Sequence, residues 1–156
     1  MKRLNDEIIN FFRAQGFVIV TSVDPDGTPH AACKGIVRIS RDGRVYLLDL
    51  YLKRTFANLQ SRPAISITAV DEHHFAGYCL KGRATIVPIK QLRPQIAKTW
   101  DQKITERITN RILKNLRAEP GHASHPEAQL PRPEYLIVVD VNDIVDLSPA
   151  HLKKGV

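Results

Sequence analysis

Residues 44–59 read RVYLLDLYLKRTFANL, and the fold turns on how this stretch is parsed. A turn carrying Gly43 leads into Val45, Tyr46, Leu47 and Leu48, an apolar and aromatic run of strand character. A short loop then reaches Lys53-Arg54-Thr55, after which Phe56-Ala57-Asn58-Leu59 reads as the opening turns of a helix ending near Gln60. Two cations and a hydroxyl therefore stand where a strand hands over to a helix N-terminus. The unpaired amides and positive dipole end of a helix attract anions and disfavour cations. A bound phosphate would offset that mismatch. The plainer alternative is a solvated Lys-Arg pair in a surface loop.

Working outward, strand and turn signals surround the stretch. Upstream, residues 17–23 (FVIVTSV) and 29–39 read as strands separated by the turn Asp24-Pro25-Asp26-Gly27, and Ser40-Arg41-Asp42-Gly43 turns into the third strand, residues 45–49. Before them, Asn5 can cap a helix that carries Asp6 and Glu7 in its first turn, Ile8, Ile9, Phe11 and Phe12 along its apolar stripe, and Gly16 at its end. Downstream, Arg62-Pro63 stops the second helix. Strands follow over residues 64–70 and 77–87, the second holding Gly82 as a bulge or bend, with Pro88 ending the sheet segment. A helical pattern with Ile104, Ile108, Ile112 and Leu116 on one stripe occupies residues 90–117, and a loop with four prolines occupies 118–133. The sixth strand, residues 135–141, is followed by a tail in which residues 143–147 can extend the sheet. Strands in successive hairpins, with one added after a helical excursion, predict a β-dominated α+β domain: a six-stranded antiparallel barrel, closed or nearly so, with peripheral helices.

The whole-chain totals agree with one domain over residues 1–156. The chain is 43% hydrophobic and 25% charged, an ordinary globular balance. Of its net charge of +7, residues 90–117 supply most, with eight cations against two anions. Such a face can attract nucleic acid, but the solvated side of a helix explains it more simply, and nucleic acid is not the expected partner. Two cysteines are too few for a disulfide framework. The start of the chain, Met1-Lys2-Arg3 followed by Asn5-Asp6-Glu7, has no signal-peptide core, and no apolar run is of membrane-spanning length. A cytoplasmic protein is expected.

In order and spacing these features resemble the split barrels that bind flavin mononucleotide (FMN), the pyridoxamine 5'-phosphate oxidase-like family. The resemblance covers residues 17–87, with 135–147 matching the late strand. It rests on Pro29-His30, the Asp42-Gly43 turn, the pattern Arg54-Thr55-x-x-Asn58-Leu59, and Arg62-Pro63 before another strand. It implies a flavin phosphate held by Lys53, Arg54 and Thr55 with Asn58 near, and a ring lying against Cys33, Lys34 and Gly35 on the second strand and Leu48 and Asp49 on the third. It also implies a homodimer with flavin at the subunit interface, FMN as cofactor, and hydride or electron transfer to a small molecule or redox partner. A carrier or sensor without turnover, or a relative binding haem or a deazaflavin, are the alternatives. The Arg-x-Val-Leu-Leu-Lys strand and the C-terminal Arg-x-His of true pyridoxamine phosphate oxidases are missing, so vitamin B6 oxidation is not expected.

Other residues carry weaker signals. Cys33 can be a thiol beside the flavin, but a small buried cysteine is the commoner case. His73-His74 and His122-x-x-His125 lack partners at a recognisable metal spacing and read as solvated loop histidines. Trp100 is expected to pack the helical excursion against the barrel, and no residue stands out as acid or base.

Overall fold

A computed structural model describes residues 1–49, 53–91, 94, 98, 102 and 134–150. Its elements are α1 (Asp6–Ala14), β1 (Val18–Val23), β2 (Pro29–Ile39), β3 (Arg44–Leu48), α2 (Arg54–Ser61), β4 (Ala64–Asp71), β5 (Ala76–Pro88) and β6 (Tyr135–Asp146). The six strands close into an antiparallel barrel in the order β1-β2-β3-β6-β5-β4, as the sequence predicts. Two tight turns create the first three strands. Gly27 (φ 91°) closes the first, where its amide donates to the Asp24 carbonyl at 2.9 Å. Gly43 (φ 89°) closes the second. The chain then leaves the sheet through α2, and β4 returns to pair with β1. β6 closes the barrel by lying between β3 and β5.

Period-two alternation fills the interior. Val18 and Val20 on β1, Val45 and Leu47 on β3, Ile65 and Ile67 on β4, and Ile137, Val139 and Val141 on β6 all join one buried core with Leu80. Each fully buried aliphatic side chain contributes roughly 1.5–3 kcal/mol. Helix α1 adds Ile8, Ile9 and Phe12 to the same core, and Phe11 meets Tyr78 of β5 edge to face at 5.1 Å. Outward-facing Val37, Tyr46, Leu48 and Leu136 form a second buried cluster. Strands β2, β3 and β6 are thus apolar on both faces in this region.

The structure shifts several expected boundaries. Pro88 is the last residue of β5 rather than a residue beyond it, and α2 begins at Arg54. Asp49 lies just past the end of β3. β6 continues through residue 146, with Asp143 to Asp146 paired to Lys81 to Tyr78. Its register shifts between Lys81 and Gly82, the bulge expected at Gly82. A Cβ on Gly82 would overlap the Asp140 carbonyl oxygen, so glycine is needed for that close approach. The expected helical stretch over 90–117 (apart from residues 90, 91, 94, 98 and 102), the loop over 118–133, Trp100, His122 and His125 lie outside the described residues. Among the described residues no helix is long and apolar enough to cross a membrane.

Candidate phosphate and ring site

Helix α2 opens without a cap. Lys53 occupies the N-cap position, where its side chain makes no capping hydrogen bond, and the first turn contains no acidic residue. The first amide with a partner within the helix is that of Ala57, which donates to the Lys53 carbonyl at 3.1 Å. The amides of Arg54, Thr55 and Phe56 precede it and have no acceptor among the described residues. Thr55 is only 4% exposed, and its hydroxyl has no hydrogen-bond partner among the described residues. Three amides without an acceptor among the described residues, a buried hydroxyl and two exposed cations thus meet at one helix end.

What holds α2 in place is its flank. Asn58, 2% exposed, donates through Nδ2 to Ser22 Oγ at 3.0 Å and to Asp24 Oδ1 at 2.7 Å. Asp24 also faces Arg54, Oδ2 to Nη1 at 3.6 Å. The carboxylate at the end of β1 therefore anchors the helix and orients the guanidinium. Asn58, expected to lie near the phosphate, is placed as the brace between α2 and β1, with both amide hydrogens engaged.

The strand residues expected beneath a ring divide between the two faces of the sheet. Lys34 and Asp49 turn inward and meet: Lys34 Nζ lies 2.7 Å from Asp49 Oδ1, with side-chain exposures of 9% and 1%. Tyr135 Oη donates to Asp49 Oδ2 at 2.8 Å. Burial, and then the Asp49 carboxylate, raise the Tyr135 phenol well above its ordinary range, so it remains a donor. Phe56 of α2 packs edge to face on the Tyr135 ring at 4.9 Å. The Lys34 ammonium is thus engaged inside the barrel. Gly35 and Leu48 face each other across β2 and β3, and a register shift follows at once between Ile36 and Arg38. Cys33 is exposed rather than buried, because its pairing with Ile19 puts it on the outer face of β1 and β2.

Tyr135, Phe56, Ser22 and Asp24 escape the sequence reading. Tyr135 looks like an ordinary strand residue and Asp24 like an ordinary turn residue. The available signal was Asp49 itself, a carboxylate ending an apolar strand, which needs a partner once buried. Elsewhere, His74 Nδ1 lies 2.8 Å from Asp71 Oδ2 on the exposed β4–β5 hairpin. Among the described residues no group of three or more His, Cys, Asp or Glu side chains could hold a metal ion.

Comparison with known proteins adds the family. No curated protein sequence matches the chain. Among solved structures, HupZ of Group A Streptococcus is similar with a TM-score of 0.65 at 19% identity, over 97% of this chain and 96% of that one. A Clostridium acetobutylicum protein related to general stress protein 26 of B. subtilis, of the pyridoxinephosphate oxidase family, has a TM-score of 0.56 at 16% identity, over 92% and 89%. HutZ, the haem storage protein of Vibrio cholerae, has a TM-score of 0.52 at 20% identity, over 92% and 94%. At these identities the likeness is one of fold. The family model described as pyridoxamine 5'-phosphate oxidase matches residues 4–141, nearly the whole chain, and the protein belongs to that family.

Proposed function

We propose that the protein binds FMN non-covalently and works as an oxidoreductase of the split-barrel group. The observation that carries this reading is the N-terminus of α2. Its uncapped amides, the buried Thr55 hydroxyl, which has no partner among the described residues, and the cations Lys53 and Arg54 match what a phosphate monoester needs: charge-assisted donors converging from backbone and side chain. The nearby Gly35 and Leu48 backbone supports a flat ring seated on the outer side of β2 and β3. When bound, the flavin would supply hydride or single-electron transfer. The chain's own part is to anchor the phosphate, orient the ring and set its surroundings.

Family membership also supports a homodimer. Ile19, Val70 and Leu147 are exposed apolar residues on the barrel's exterior, and they offer surface to a second copy. Light scattering at micromolar concentration should give twice the chain mass; a monomer would remove this part of the proposal.

The central test is flavin titration of wild type against the Arg54→Ala, Thr55→Ala double variant. Loss of about 10- to 100-fold in affinity is expected, from one charged and one neutral hydrogen bond to phosphate. Equal affinity would sink the phosphate assignment. A Soret band in place of flavin absorbance in the purified protein would overturn FMN in favour of haem.

A further inference from the structure

We propose that Lys34, Asp49 and Tyr135 form a strut that positions the N-terminus of α2 for phosphate, so that this buried cluster governs the selection of phosphorylated over unphosphorylated flavin. The inference rests on the FMN reading above and assigns a role to three residues that do not themselves touch the ligand's phosphate.

The barrel interior is built in layers, and two neighbouring layers differ sharply. Ile36, Leu47 and Ile137 face one another across β2, β3 and β6 and are apolar. Two residues further along stand Lys34 on β2, Asp49 just past the end of β3 and Tyr135 at the start of β6, which meet on the same inward side. An ammonium, a carboxylate and a phenol replace aliphatic filling at the layer nearest α2. Burying an ion pair rarely adds stability over an apolar set of equal volume, so bulk stability does not explain the exchange. What such a cluster supplies is direction. Asp49 receives Lys34 from one wall at 2.7 Å and Tyr135 from another at 2.8 Å, and these bonds fix the rotation of the carboxylate and of the phenol.

That fixed orientation passes to α2 through space: the Tyr135 ring meets Phe56, in the first turn of α2, with ring planes at 66°. Asn58 pins the opposite flank of the helix to β1. With both flanks held, the amides of Arg54 to Phe56 and the Thr55 hydroxyl keep one position relative to the strands beneath a ring. A convergent oxyanion site has to be held to within about 0.5 Å to be effective.

The test compares FMN with riboflavin, which has the same ring and no phosphate. Both are titrated into wild type, Tyr135→Phe and Phe56→Leu by quenching of flavin fluorescence, with thermal melts alongside. Tyr135→Phe keeps the ring against Phe56 and removes only the bond to Asp49. Phe56→Leu breaks the link from the helix side without touching the buried carboxylate. Wild type should favour FMN by about tenfold or more. Each variant should cut that preference by roughly threefold, through weaker FMN binding with riboflavin unchanged. An unchanged preference in either variant, or an equal weakening of both ligands, overturns the strut and leaves the phosphate site standing. No preference in wild type overturns the phosphate reading and the strut with it.

Discussion

The two helices obey opposite rules. In α1 every charge suits the helix dipole: Asn5 caps the first turn through Oδ1 to the Ile8 amide at 2.9 Å, Asp6 and Glu7 follow, and Arg13 sits in the last turn. In α2 the N-cap position holds Lys53, Arg54 comes next, and neither an acid in the first turn nor a base in the last offsets the dipole. The first helix carries its own stabilising features. The second depends on the barrel, through Asn58 on β1 and through Phe56 on Tyr135. A helix that is held from outside is free to leave its first turn open, and an open, cationic first turn is a place for an anion. Five changes should break or sharpen this contrast.

The largest effect is expected at the seat of α2. Lys34→Met leaves Asp49 buried beside one donor fewer, and stripping one partner from a buried ion pair costs about 3–5 kcal/mol. Urea denaturation should show that loss as a lower midpoint with little change in slope. A loss below about 1 kcal/mol would mean that Asp49 finds other partners and that the ion pair is not what holds this end of the barrel. Next comes Asn58→Ala, which removes the amide donor shared by Ser22 and Asp24. About 1–3 kcal/mol should be lost, and hydrogen exchange should rise in α2 before it rises in β1. For comparison, Asn5→Ala in α1 should cost about 1 kcal/mol, with the added exchange confined to that helix's first turn.

These sites also separate what the sequence could reveal from what it could not. The strands, hairpin turns and barrel class were legible because alternation and Asp-Gly turns are local signals, as in the segment from Val18 to Leu48. The α1 cap was legible for the same reason. The cationic start of α2 was legible as an anomaly, since Lys53 and Arg54 contradict the dipole within a few residues. Its seat was not. Lys34 and Asp49 are 15 residues apart, and Tyr135 is 86 residues from Asp49. Their meeting depends on β6 lying beside β3, a property of the closed barrel that no local pattern carries. The exposure of Cys33 was missed similarly, because it depends on which face of β2 the register turns outward.

A fourth change should trade the two properties of α2 against each other. Lys53→Ser puts a good capping residue where a cation now stands. Stability should rise by about 0.5–1 kcal/mol in denaturant titration, while FMN affinity falls through loss of a charge near the phosphate. A rise in stability with undiminished FMN affinity would show that Lys53 is not part of the site. A fall in stability would show that the residue already serves the helix in another way, through its side-chain contacts.

The smallest effect should come from α1 at alkaline pH. Tyr78 Oη donates to Glu7 Oε1 at 2.9 Å, joining α1 to β5. Burial first, and Glu7 second, raise the Tyr78 pKa to about 12 from its ordinary value of 10.0. The folded chain therefore keeps this proton at a pH where the unfolded chain has lost it. The sign follows from linkage: the contribution is fully present below pH 10.0 and disappears as pH rises toward about 12. Because the pair lies near solvent, the effect should stay below about 1 kcal/mol. Tyr135 titrates in the same direction, so the wild-type curve alone cannot isolate Tyr78. The difference between wild type and Tyr78→Phe can. It should be constant from neutral pH to pH 10.0 and shrink above it. A difference that stays flat across this window would mean that the Tyr78–Glu7 bond adds nothing to α1, and that the helix rests on its cap and its apolar face alone.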